Sequence, residues 1–209
     1  MAKKLVINIP TPRVQEVENY LTEWKNRDKQ KYKLQEDSLG LLFNKFPLNN
    51  NLEEILFKAA ALNEFYSTNI FSIIDVGKHI LKLNIDKNLN EGDLSIVKKI
   101  AQVSINGTNR NFYSFATKYC AHHKPEKYPI YDDYVANVLV YFNKLDKFYE
   151  FTKKDLKDYE KFYSVIIEFR EHYNLANYSI RDIDKYLWQL GKEYFPKNYG
   201  KNKNKVQDK

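Results

Sequence analysis

Apolar positions along this 209-residue chain recur every three or four residues almost from end to end, which is the period of an amphipathic helix. Thr11-Pro12 is an N-cap followed by proline at the first helical position. Val14, Val17, Leu21 and Trp24 then line one face, so a first helix is predicted over about 12–29. Leu34, Leu39, Leu42, Phe43 and Phe46 predict a second helix ending before Pro47. The Asn49-Asn50-Asn51 cluster caps a third, LEEILFKAAALNEFY. Ile73, Ile74, Ile80, Leu81 and Leu83 place another within 71–83, NIDKNLNEGD reads as a loop, and Asp93 caps LSIVKKIAQV. Asn106-Gly107 marks a turn before a helix over 110–123. Residues 125–131 read as extended, and Asp132 caps the helix that follows them. Thr152 or Asp155 opens a long helix reaching about Tyr173, and Ser179 with Asp182 starts IRDIDKYLWQLGKEYF in the manner of a capping box. Only KLVINI, at 4–9, alternates like a strand, and it has no evident partner. The expectation is an all-α domain over 1–195, about nine helices in two lobes, followed by a basic, disordered tail over 196–209.

Composition narrows the class. Hydrophobic residues make up 43% and charged residues 29%, as in soluble globular proteins. No apolar run approaches the roughly 18 residues of a membrane span, and the N-terminus does not read as a signal peptide. No membrane association is expected. Cys120 is the only cysteine, which excludes an intrachain disulfide and suits a reducing, cytoplasmic location. Of the formal charge of +7, the tail carries +4, so the body is mildly basic; this permits nucleic-acid binding without demanding it. Seventeen tyrosines supply apolar area with a hydrogen-bonding tip, suited to a small core and to a wet groove alike.

Several chemistries drop out on motif grounds. Cys120, His122 and His123 are close in sequence, yet no second ligand pair completes a metal site, and no metal or cofactor is expected. Neither G-x-x-x-x-G-K-[ST] nor G-x-G-x-x-G occurs, which removes P-loop and Rossmann nucleotide binding. A G-x-S-x-G elbow is absent. The stretch FYSFATKYCAHHKPEKYPIYDDYV, at 112–135, remains: Lys118 on a helix, a loop stiffened by Pro125 and Pro129, then Asp132 and Asp133 at the next helix start. A lysine and a carboxylate so placed can act as nucleophile and electrostatic stabiliser. They can equally be an ion pair bracing the loop, with Asp132 as an ordinary N-cap.

The order helix, polar turn INGTNRN, helix, proline loop and helix-capping aspartate resembles the helix-hairpin-helix DNA glycosylase superfamily, particularly its 8-oxoguanine glycosylase-like bacterial branch. There a P-x-D-x-H-x segment bears the catalytic aspartate. Here Pro129-Ile130-Tyr131-Asp132-Asp133-Tyr134-Val135 corresponds, with one residue inserted after the proline, Asp132 in the aspartate place and Tyr134 in the histidine place. LNEFYSTNI at 62–70 and DIDKYLWQLGK at 182–192 are similar to that group as well. The turn holds Gly107 where the superfamily carries two glycines. The resemblance implies a helix-hairpin-helix glycosylase-like fold, damaged double-stranded DNA as partner, and base excision with Asp132 as the catalytic carboxylate; the family's imine-forming lysine would fall near Asn111 or Phe112, so Lys118, about two helical turns further on, is the candidate imine former on its own chemistry and not by the resemblance. It further implies that Asn106, Gly107, Asn109, Arg110 and Asn111 meet the phosphate backbone, and that Tyr131, Asp133 and Tyr134 meet the substrate. Phe112, Tyr113, Tyr119 and Tyr128 are further aromatic candidates for an extruded base. The rival readings are a non-catalytic nucleic-acid binder and a helical interaction or phage-defence module.

Overall fold

The structure, a computed structural model, describes residues 8–26 and 30–196. Among them are ten α-helices, one antiparallel strand pair and one 3-10 turn. The first helices are α1 (Val14–Asn26), α2 (Gln30–Lys45) and α3 (Leu52–Tyr66). The Asn51 side chain accepts from Glu54 N at 2.9 Å and so fixes the start of α3. Then come α4 (Ile73–Leu83), α5 (Asp86–Glu91) and α6 (Ser95–Ala101), the strands β1 (Gln102–Ile105) and β2 (Thr108–Asn111), and α7 (Tyr113–His123). The last elements are α8 (Asp133–Asp146), the 3-10 turn Asp155–Lys157, α9 (Tyr159–His172) and α10 (Ile180–Tyr194).

One hydrophobic core runs from Val17 on α1 to Leu190 on α10. The helix α10 is its spine, packed against α8 on one side and α1 on the other. Ile183, Tyr186, Leu187 and Leu190 are buried, and Gln189 Nε2 donates to the Tyr20 carbonyl at 3.0 Å. Gly191 makes the closest approach: a Cβ there would lie 2.6 Å from the Tyr134 carbonyl oxygen, so only glycine lets α10 press on the first turn of α8. The Ser179–Asp182 capping box forms as expected.

Four sequence expectations change. The polar turn after α6 is a β-hairpin rather than a link between two helices: β1 and β2 pair from Gln102↔Asn111 to Ile105↔Thr108. Asn106 and Gly107 both take positive φ (49° and 74°), the backbone of a two-residue hairpin turn. The following helix therefore starts at Tyr113 rather than near Arg110. The presumed loop NIDKNLNEGD holds the short helix α5, which raises the count from nine to ten. The long helix expected from Thr152 or Asp155 starts at Tyr159, because Asp158 accepts from Lys161 N and supplies the cap. Most of KLVINI, the end of the first helix at 27–29 and the tail at 197–209 lie outside the described residues. Among the described residues no helix is long and apolar enough to cross a membrane.

Candidate active site

A cavity of about 360 Å³ opens between α1, α2, the C-terminal end of α3, α7, the start of α8 and α10. Lys118 reaches it from α7 and is 3% exposed. Its Nζ donates to Ser114 Oγ at 2.6 Å and to the Tyr131 carbonyl at 3.3 Å, and it sits 5.1 Å from the Tyr66 ring centroid. Asp132 ends the proline loop. One carboxylate oxygen accepts from Tyr134 N at 2.8 Å and caps α8, so the cap itself fixes this carboxylate on the cavity wall beside Tyr134. The Tyr131 carbonyl, one residue before Asp132, is thus the point at which the lysine and the aspartate loop meet.

The opposite wall comes from α10, where Arg181, Asp184, Lys185, Trp188 and Lys192 follow one another at helical spacing on a single face. Trp188 is the centre of an aromatic group. Its ring lies edge-on to Trp24 (5.8 Å), Tyr32 (5.0 Å) and Tyr134 (6.5 Å), and Lys192 Nζ sits 4.1 Å from the Tyr32 ring centroid. Lys192 Nζ also lies 4.9 Å from the Trp188 ring centroid and Lys185 Nζ 5.8 Å from that of Trp24, so this wall of the cavity is aromatic with cations set over its rings.

Charge in the cavity is arranged in two layers. Outermost, Glu36 Oε1 accepts from Arg181 Nε (3.1 Å) and Lys185 Nζ (3.0 Å), and Oε2 accepts from Trp24 Nε1 (2.9 Å). Burial acts to raise the Glu36 pKa, but the two cations outweigh it and hold the carboxyl below its ordinary value. Deeper, Asp184 is buried; its Oδ2 accepts from Ile130 N at 2.9 Å, while Oδ1 has no hydrogen-bond partner among the described residues. Desolvation pushes the Asp184 pKa up to about 7, against the pull of Arg181 and the Ile130 N–H. Tyr66 Oη meets His122 Nε2 at 3.0 Å. Burial and then the charges of Arg181 and Lys118 lower the His122 pKa to about 3, so the imidazole is neutral at pH 7.

Of the residues singled out from sequence, Lys118, Asp132 and Tyr134 line this cavity. Tyr131 does not. Its ring turns into the core against Tyr113 (4.9 Å) and Phe162 (5.5 Å), because the loop's extended backbone alternates side chains and Asp132 takes the cavity side. Asp133 is exposed outside the lining and accepts from Tyr131 Oη at 3.3 Å. Asn106, Gly107, Asn109, Arg110 and Asn111 are exposed on the hairpin, apart from the cavity. Tyr119 and Tyr128 are core residues with no exposure. Cys120 is fully buried, its thiol pKa raised by desolvation. No cluster of three or more metal-binding side chains occurs among the described residues. The sequence reading missed Trp24, Tyr32, Glu36, Tyr66, Arg181, Asp184 and Trp188. The one available signal was the run of charged and aromatic side chains on a single face of α10.

The fold and cavity define a mostly helical protein with a charged, aromatic-walled pocket. The chain belongs to the family described as HI_0787_N, N-terminal domain, which matches residues 16–127. A Haemophilus influenzae relative carrying the name "Uncharacterized protein" is 49% identical over 148 residues, covering 70% of this chain and 71% of the relative. No solved structure matches. The family match takes in Trp24, Tyr32, Glu36, Tyr66 and Lys118; the walls from Asp132 and α10 lie beyond it.

Proposed function

We propose that the protein removes a base from DNA, with Lys118 and Asp132 as its catalytic pair and the cavity as the base pocket. One observation carries the reading: a buried lysine and a helix-capping carboxylate, held together through the Tyr131 carbonyl, face the same aromatic-walled cavity. An extruded base stacks against Trp188 and its aromatic neighbours. Asp184 Oδ1, which has no hydrogen-bond partner among the described residues, accepts an N–H from the edge of the base. Breaking the N-glycosidic bond builds positive charge on the sugar, and the Asp132 carboxylate stabilises it. Lys118 first gives up a proton to water and then attacks C1′ as the base departs with the bonding electron pair; one amine proton goes to the departing base, and the other goes to the ring oxygen as the sugar ring opens to leave an imine. The resemblance in sequence to the glycosylase superfamily supports the same reading.

The test is excision from duplex DNA bearing single modified bases, 8-oxoguanine among them. Asp132→Asn is expected to lower excision at least about a hundredfold with DNA affinity kept, and Lys118→Ala to abolish strand cleavage. Unchanged excision in both variants overturns the assignment. The bonds from Lys118 to Ser114 and Tyr131 also favour a second reading, a non-catalytic nucleic-acid binder in which the lysine braces the loop. Tight, salt-sensitive DNA binding without turnover would select it.

A further inference from the structure

Ser114 lies one turn before Lys118 on α7, so the two side chains share a helix face. It is not among the residues that line the cavity, yet its Oγ lies closer to Lys118 Nζ (2.6 Å) than the Tyr131 carbonyl does (3.3 Å). An ammonium carries three N–H donors and no acceptor, so Ser114 Oγ accepts in this bond. The hydroxyl then donates its own proton to the Tyr131 carbonyl, 3.3 Å away. That carbonyl accepts from Lys118 Nζ as well, which closes a ring of amine, hydroxyl and carbonyl behind the cavity wall. The third acceptor near Nζ, the Ser114 carbonyl at 3.4 Å, belongs to the same residue.

A lysine that has lost a proton keeps two N–H groups and gains one lone pair, and the direction of that lone pair decides whether the amine can attack. A freely turning hydroxyl would donate its proton to the lone pair and block it. Here the Tyr131 carbonyl takes that proton and keeps the hydroxyl an acceptor. We propose that Ser114 is a positioning residue: with the Tyr131 carbonyl it holds two N–H groups of the neutral Lys118 amine and leaves the lone pair directed into the cavity. The inference rests on the base-removal reading for its substrate and adds what aims the nucleophile. Removing the hydroxyl has two effects of opposite sign. Losing a bond to the ammonium disfavours the charged form, so more amine is neutral at a given pH. Losing the aim slows attack by the amine that is neutral. The rising limb of a pH–rate profile reads the first effect, and the alkaline plateau reads the second. Glu36, Asp132, Arg181, Asp184, Lys185 and His122 also face this end of the cavity; all stay in place in a Ser114 variant, so their titration is common to every protein compared.

Two aldehydes read the amine in the full chain: duplex DNA with a natural abasic site, and glycolaldehyde, which needs no DNA contact. With either, the amine adds to the carbonyl carbon, water leaves, and borohydride supplies the hydride that reduces the imine to a stable secondary amine. Peptide mass spectrometry follows the adduct on Lys118. Rates are taken from neutral pH to the alkaline plateau for wild type, Ser114→Ala and Ser114→Thr, with circular dichroism checking the fold. Ser114→Ala is expected to lose about tenfold or more of the plateau rate with both aldehydes while its rising limb moves to lower pH, and Ser114→Thr, which keeps the hydroxyl, to stay within about threefold of wild type. An alanine plateau equal to wild type, or a threonine plateau as low as that of alanine, overturns the positioning role. The expected pattern with glycolaldehyde and no DNA adduct in any of the three proteins would overturn base removal and leave the positioning role standing. A DNA adduct formed at the same plateau rate in wild type and Ser114→Ala would do the reverse. No adduct with either aldehyde in wild type overturns both.

Discussion

Replacing Asp184 by asparagine isolates the most unusual group in the cavity. In the folded protein desolvation holds the Asp184 pKa at about 7, against about 3.9 for an unfolded aspartate. The folded state therefore binds more protons than the unfolded state between those values, so stability falls as pH rises through that window. The Asp184 contribution is fully present below about pH 4 and lost above about pH 7. Three pKa units at 1.36 kcal/mol each set a ceiling of about 4 kcal/mol. The value of about 7 already includes the pull of Arg181 beside the carboxylate, and about 2–4 kcal/mol is the expected range. Asp184→Asn keeps an acceptor for Ile130 N and removes the charge. Urea denaturation of both proteins at pH 4.5, 6 and 8 reads the difference. The variant is expected to exceed wild type by about 2–4 kcal/mol at pH 8, with the gap closing toward pH 4.5. A difference that does not vary with pH, or a variant less stable at pH 8, would refute the reasoning.

Three further outcomes follow from the geometry. Gly191→Ala places a methyl 2.6 Å from the Tyr134 carbonyl, so α10 and α8 must separate; a loss of about 1–3 kcal/mol in denaturation and weaker DNA binding are expected together. Glu36→Gln removes the carboxylate shared by Arg181, Lys185 and Trp24, with an expected loss of about 1–3 kcal/mol and a shift in tryptophan emission. Tyr131→Phe changes a ring that faces the core, so excision is expected to stay within about twofold of wild type.

The helices were legible because their starts are written in local chemistry. Asn51, Asp132 and the Ser179–Asp182 pair each cap the helix assigned to them. The hairpin escaped because TNRN in β2 is exposed throughout and has no apolar alternation; only Asn-Gly marked it, and the same dipeptide suits many turns. Helix α5, at six residues, is too short to show a period. Lys118 and Asp132 could be paired from sequence because only a proline-stiffened loop separates them. Glu36 and Arg181, which meet across 145 residues, could not, since nothing in either local stretch names the other. The aromatic candidates were chosen by closeness to the loop, yet closeness in sequence put most of them in the core. The rings that line the cavity with Tyr134 come largely from α1, α2, α3 and α10.

The central claim is that Lys118 forms a bond to the sugar. Borohydride reduction of the protein with duplex DNA carrying a natural abasic site, followed by peptide mass spectrometry, measures it directly. The account expects a reduced adduct on the peptide containing Lys118, absent from Lys118→Ala. No adduct, or one that maps to another lysine and persists in Lys118→Ala, would contradict it.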